Sequence, residues 1–222
     1  MFNWLRYKKT NFEAGGCLLE DIPMGADIVL ASEKFIAPRK IDFRDMLLPS
    51  NDQGQTPHCV GYSTAGCCEF WHWKKNHFPK QFDGDAIYKE AKKLDGSPNA
   101  NGTWPKYGVQ AAMNLGLIKG TSKYIPSSIN DIKFTLHEHG VFIGGFMITT
   151  DWNFVDKKTG MIKNTPGAKT RGGHAVAIAG YSDSGLYIQN SWSADYGIHG
   201  FCILGWEQAK SQFMNGMVII PD

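Results

Sequence analysis

No apolar run in the 222 residues approaches the roughly 18–20 that cross a bilayer, so nothing here reads as a membrane span. Charge of one sign is missing too: 23 basic residues against 21 acidic leave a formal net charge of +2, without the basic excess of a nucleic-acid binder. The first residues, Met1 to Lys9, hold no apolar core followed by a small-residue cleavage site, so no secretory signal is expected. The five cysteines (17, 59, 67, 68 and 202) are an odd set without repeated spacing, unlike a disulfide-stapled secreted scaffold. The expectation is a reduced, cytoplasmic protein with at least one thiol available for chemistry. Internal repeats and low-complexity stretches are absent.

What is present is the material of a folded body. Hydrophobic residues make up 42% of the chain, and 13 Phe, 8 Tyr and 7 Trp supply aromatic surface for a core. Residues 1–40 are weakly periodic and broken by Gly15-Gly16, Pro23 and Gly25. From Cys59 to about Asn76 there is no proline, and Val60, Thr64, Cys67, Cys68 and Trp71 recur at helical spacing. Further helices are expected over Asp85–Leu94, over Tyr107–Leu115, and after a Ser128 cap until Gly140. Beyond Gly140 the pattern changes to short runs expected as strands: Val141–Ile148, His174–Tyr181, Leu186–Gln189, Phe201–Leu204 and Met217–Ile220. Helices first and strands afterwards predict an α+β chain in two lobes.

One constellation carries chemistry. A thiol attacks a carbonyl as thiolate, and a helix N-terminus and a nearby imidazolium are the usual means of lowering its pKa from about 8.5. Cys59 stands at such a helix start, behind the loop Asp52-Gln53-Gly54-Gln55-Thr56-Pro57. A histidine opens an apolar strand at Gly172-Gly173-His174-Ala175-Val176, where the glycines leave room for a ligand. Sixteen residues on, Asn190 ends the next strand at Gln189-Asn190-Ser191-Trp192, placed to accept a hydrogen bond from the imidazole and fix its tautomer. Cys67, Cys68 and Cys202 lie in apolar segments and read as core filler, whereas Cys17 has no assigned place. A zinc site among His58, Cys59, Cys67, Cys68, His72 and His77 is disfavoured, because no ligand pair has a zinc-site spacing. No metal and no cofactor are expected.

From Ile41 onward these residues resemble the papain family of cysteine peptidases. Ile41-Asp42-Phe43-Arg44 is similar to the family's mature start, Asp52-Gln53-Gly54-Gln55 to its oxyanion loop, and Asn101-Gly102-Thr103-Trp104-Pro105 to the wall on which substrate backbone lies. Gly173-His174-Ala175-Val176 and Asn190-Ser191-Trp192 resemble the catalytic histidine and asparagine blocks, and Gln53 stands six residues before Cys59, as the pattern requires. The resemblance implies a papain-like two-lobed fold. Its parts are an N-terminal extension (1–40), a helical left lobe with the nucleophile (41–127) and a barrel-like right lobe with the histidine and asparagine (128–222). It implies a Cys59 nucleophile, a His174 base, an orienting Asn190 and a Gln53 oxyanion donor. Substrate contacts would come from Gly102, Thr103, Gly173, Trp104, Pro105 and Ala175, with Trp192 shielding the His174–Asn190 hydrogen bond.

The sequence departs from the pattern in four places. The cysteine next to the nucleophile's block is missing, and with it the usual disulfide, as in bacterial members. Cys59 and His174 are 115 residues apart, which trims the left lobe. Thr103 replaces a second glycine, and His58 has no counterpart. The implied partner is a peptide or protein substrate, with no nucleic acid and no membrane. Two other readings use the same residues: a catalytically silent binding module, and an acyl-transfer or isopeptide-cleaving enzyme. For residues 1–40 the alternatives are a permanent belt on the body, which the weak periodicity favours, and a removable gate across the active site. Ile28-Val29-Leu30 and Phe35-Ile36 are the anchors expected to pack.

Overall fold

The computed structural model describes residues 4–6 and 15–222. In chain order the elements are β1 (Trp4–Arg6), β2 (Ile41–Asp42), α1 (Cys59–Asn76), α2 (Gly84–Leu94), α3 (Pro105–Asn114), β3 (Gly120–Ile125) and α4 (Ile129–Glu138). They continue as β4 (Phe142–Thr149), β5 (Phe154–Asp156), β6 (Thr170–Ser182), β7 (Gly185–Gln189), β8 (Phe201–Leu204), α5 (Trp206–Gln212) and β9 (Phe213–Pro221). The four expected helices and five expected strands are all present, within a few residues of the expected ends.

Local chemistry accounts for the helix ends. Asp83 caps α2 by accepting from the Asp85 and Ala86 N–H groups at 2.9 and 3.1 Å. Pro105 opens α3, where its missing N–H costs nothing, and the Ser128 hydroxyl caps α4 by accepting from Asp131 N–H. α1 is different: it is buried on most sides, and small residues bring it close to its neighbours. A Cβ on Gly66 would lie 3.1 Å from the Ala177 methyl of β6, and one on Gly61 only 2.1 Å from the Gly84 carbonyl oxygen.

A seven-stranded sheet runs in the order β3-β9-β4-β6-β7-β8, with β2 added against β6 and every pairing antiparallel. β6 is buried on both faces and alternates between two cores. Ala175, Ala177 and Ala179 belong to the cluster with Cys59, Val60, Cys67 and Phe70 of α1, whereas Val176 and Ile178 belong to the one with Ile132, Leu136 and Phe142. This small-residue face lets α1, which begins at Cys59, lie directly on the strand that carries His174. The sheet also recruits β3 and β2 from before residue 128, so strand pairing crosses the expected boundary between the lobes.

Residues 15–40 run over this body along two different surfaces. Residues 15–20 pass between Thr103 and Gly173, and residues 27–36 lie beside β3 and α4. The expected anchors divide: Val29 is in the core at 4% exposure and Phe35 packs edge-on against Phe134 at 5.0 Å. Ile28, Leu30 and Ile36, by contrast, face solvent, Ile36 at 90%. An extended segment buries alternate side chains, so a run of apolar residues overstates its anchoring.

Candidate active site

Cys59 is the first residue of α1, where unpaired N–H groups and the positive end of the helix dipole meet its sulfur. From the sheet, the Ala175 N–H donates to Cys59 Sγ at 3.5 Å. The residue before it, His174, is 2% exposed, and its Nε2 lies 2.8 Å from Asn190 Oδ1. That same Oδ1 accepts the Ser191 backbone N–H at 2.8 Å. Because a backbone N–H can only donate, the shared atom is the amide oxygen, and His174 must carry its proton on Nε2. Nδ1 of the neutral ring is then the basic nitrogen. Trp192 stacks on the imidazole at 5.0 Å and 29°, and Trp152 meets it edge-on at 5.9 Å.

Gln53 is buried beside this group and held at both ends of its amide. Ser191 Oγ donates to Oε1, while Nε2 donates to the Thr56 carbonyl at 2.7 Å in the loop that leads to Cys59. Its main chain is tied to the asparagine block as well, since Gln53 N–H donates to Ser191 O at 2.9 Å. Sequence reading missed Ser191 and Trp152. Ser191 stands between two singled-out residues, and Trp152 has no sequence signal near the site.

His58 acquires a role. Its Nδ1 is 2.7 Å from Asp85 Oδ1, and its ring stacks on Tyr88 at 3.9 Å and 25°. The Tyr88 hydroxyl in turn accepts the Gly102 N–H at 3.0 Å, and Lys92 Nζ donates to the Gly102 carbonyl at 2.9 Å. Thus α2 joins the start of α1 to the Gly102–Pro105 wall. Gly102, at φ +78°, takes the left-handed conformation that favours glycine.

Across this site lies the chain's own leader. Leu18 N–H donates to Thr103 O at 2.9 Å, Thr103 N–H to Gly16 O at 3.3 Å, and Cys17 N–H to Gly173 O at 3.4 Å. The pairing with Thr103 is parallel. Gly16 sits over Cys59 so closely that a Cβ there would be 2.8 Å from Cys59 Sγ and 2.7 Å from Pro57 O. A Cβ on Gly173 would lie 2.0 Å from Cys17 O, and one on Gly145 2.9 Å from Leu19 Cδ2. Leu19 packs on the cluster that holds Ala175, and Pro105 is buried in the same wall. Trp104 stands at the wall's rim, 5.9 Å from the Tyr107 ring.

Dryness sets the electrostatics. Burial pushes the Cys59 thiol up to about 12, against the pull of N–H donors from Ala175, Val60 and Cys59 itself. Burial likewise pushes His174 down to about 4, a shift opposed by the Asn190 hydrogen bond and reinforced by the Arg171 charge. Both shifts favour the uncharged forms, a thiol and a neutral imidazole. All five cysteines are free.

The family model for papain family cysteine proteases matches residues 109–221, half of the chain. The chain belongs to that family. The matched stretch holds His174 and Asn190, while Cys59 and Gln53 precede it and are placed by the fold. The fold is shared with xylellain, a cysteine protease from Xylella fastidiosa, at TM-score 0.76 and 20% identity over 98% of both chains. ProCathepsin B S9 from Trypanosoma congolense follows at TM-score 0.72 and 14% identity, over 95% of this chain and 87% of that one. Procathepsin L 3 of the Tenebrio molitor larval midgut matches at TM-score 0.64 and 14% identity, over 90% and 76%. At these identities the likeness is one of fold, mixed α+β and papain-like over nearly the whole chain.

Proposed function

We propose that this papain-family member is a cysteine peptidase that cleaves peptide bonds through a thioester on Cys59. One observation carries the reading: the cleft already holds an extended stretch of polypeptide over the thiol, paired by its main chain to Thr103 and Gly173. A cleft that grips extended backbone suits peptide as substrate. In the open enzyme His174 Nδ1 takes the Cys59 proton, and the thiolate attacks the scissile carbonyl. The oxyanion is met by the Cys59 N–H and the second Nε2 hydrogen of Gln53, the first being engaged by Thr56. The imidazolium then protonates the leaving amine and, as neutral base, later activates water against the thioester. Asn190 holds the ring in place throughout. Residues 15–20 act as a gate, and the neutral, dry pair beneath them is the closed state. A reduced, cytoplasmic setting fits the free thiols.

The test is mass spectrometry after an epoxide-type cysteine-protease inhibitor, applied to the intact chain and to protein lacking residues 1–24. Rapid modification of Cys59 in the shortened protein, with Cys67, Cys68 and Cys202 spared, is the expected result. If Cys59 stays unmodified in both, the site is silent and the chain is a binding module. Hydrolysis of isopeptide-linked but not linear peptides would move the assignment to the acyl-transfer reading.

A further inference from the structure

Beyond Leu19 the leader seats Glu20 in a polar site that the catalytic groups do not use. Its Oε2 is 2.8 Å from Lys106 Nζ, its Oε1 accepts the Tyr124 hydroxyl at 2.9 Å, and its carbonyl oxygen accepts Asn215 Nδ2 at 2.5 Å. The three donors come from α3, β3 and β9, so the fold assembles the site independently of the leader. Lys106 is further placed by the rings of Trp104 and Tyr107, 5.9 and 5.1 Å from Nζ. The Lys106 and Glu20 side chains are 31% and 25% exposed, which puts the pair at the rim of the cleft. Burial, then the Glu20 carboxylate, raise the ionisation of Tyr124 above its usual range, so the phenol remains a donor.

We infer that Lys106 and Tyr124 form a carboxylate-recognising subsite of the substrate cleft, with Asn215 holding the main-chain carbonyl beside it, and that the leader's Glu20 stands in for an acidic substrate side chain next to an aliphatic one. The inference rests on the peptidase reading. When the leader leaves, a cation and a phenol lose their acceptor together. A substrate that restores a carboxylate regains charge-assisted hydrogen bonds, one carrying an amide regains weaker ones, and one carrying a lysine meets Lys106. Discrimination of this kind follows from polar groups left unmatched by the wrong partner.

The experiment uses the full chain carrying Glu20→Gln, so that the leader's own carboxylate does not compete. The probes are peptidyl vinyl sulfones with leucine next to glutamate, the glutamate placed second, third or fourth from the electrophile, each matched by a glutamine analogue. Cys59 labelling is followed by mass spectrometry. At one position the glutamate probe should label at least about tenfold faster, a difference of about 1.4 kcal/mol. Adding Lys106→Met should reduce that preference to below about threefold, and adding Tyr124→Phe should reduce it partly. Equal labelling by glutamate and glutamine at all three positions overturns the subsite while leaving Cys59 as the nucleophile. So does a preference that survives both substitutions. If no probe labels Cys59 in this protein or in protein lacking residues 1–24, the peptidase reading falls and takes the subsite with it.

Discussion

Two stretches of the same extension meet the body in opposite ways. Residues 15–20 are held by main-chain hydrogen bonds to Thr103 and Gly173, by Leu19, and by the Glu20 contacts at the rim. Residues 27–36 are held by side chains. Val29 enters the core, Phe35 packs on Phe134, and main-chain bonds link Val29 and Asp27 to Tyr124. The first stretch lies over the Cys59 sulfur, and its bonds are of a kind that another extended peptide could replace. The second lies away from it and contributes to the body it covers. On the reading proposed above, gate and belt coexist in one segment, and occupancy of the cleft and stability of the fold become separable properties.

The sharpest way to break that division is to shorten the chain in two steps. Loss of residues 1–24 removes the main-chain bonds to Thr103 and Gly173, the Leu19 contact and the Glu20 contacts, all in a cleft that water fills when the segment leaves, so the lost hydrogen bonds are exchanged for bonds to water. Peptidase activity should rise by about 10²–10³ with the melting temperature little changed. Further removal to residue 37 takes out Val29 and Phe35, which costs roughly 2–4 kcal/mol and lowers Tm by about 5–10 °C with no further gain in turnover. If the first cut melts the protein and the second does nothing, the two stretches have been assigned the wrong way round.

Next in size is the chemistry that the gate covers. In the shortened protein, Gln53→Ala should lower kcat by about 10²–10³, the usual loss of one oxyanion donor. Asn190→Ala should be milder than His174→Ala, because the amide positions the ring that moves the proton. Turnover within about threefold of the parent would leave Gln53 as a strut between Ser191 and Thr56 only.

Smaller again is the effect of one side chain on the gate alone. Gly16→Val in the intact chain sets new carbons against Cys59 Sγ and Pro57 O, so the leader should lift and basal turnover rise by about tenfold, with Tm nearly unchanged. Unaltered turnover would mean that Gly16 does not seal the site.

Of similar size is the effect of pH. In the closed state His174 titrates near 4, below the usual value of about 6.5, because it is dry. The closed state therefore binds fewer protons on this ring than an opened, wetted one. The preference for closure is complete above about pH 6.5 and is lost as pH falls toward 4, by up to about 1.4 kcal/mol per unit. Labelling of Cys59 in the intact chain by an uncharged alkylating reagent, corrected for thiol ionisation, should speed up by roughly tenfold between pH 6.5 and 5. In protein lacking residues 1–24 the same correction should leave no such rise.

The unequal legibility of the molecule follows the same division. Cys59, His174, Asn190 and Gln53 sit at element ends marked by proline, glycine or a change of period, and the sequence shows all four in the order that the fold brings together. α1, α2 and α4 were legible because burial and capping leave a local imprint. β3, read Gly-Thr-Ser-Lys-Tyr-Ile, was not, since an edge strand half open to solvent needs no apolar alternation. α5 spans only Trp206–Gln212, too short for its period to declare itself. The leader's course was illegible for a deeper reason. Its grip is main-chain pairing, which any residue can make, and its side-chain partners lie 86 to 195 residues away.

Tyr88 gives the cleft a dimension. One face of its ring rests on His58, the residue before the nucleophile, and its hydroxyl meets the N–H of Gly102 on the opposite wall. The phenol therefore works as a gauge block: a rigid side chain, with Lys92 beside it, sets the spacing between the start of α1 and Gly102. On the peptidase reading, a peptide entering the cleft would be measured against that spacing, and α2 becomes the part of the protein that keeps the measure.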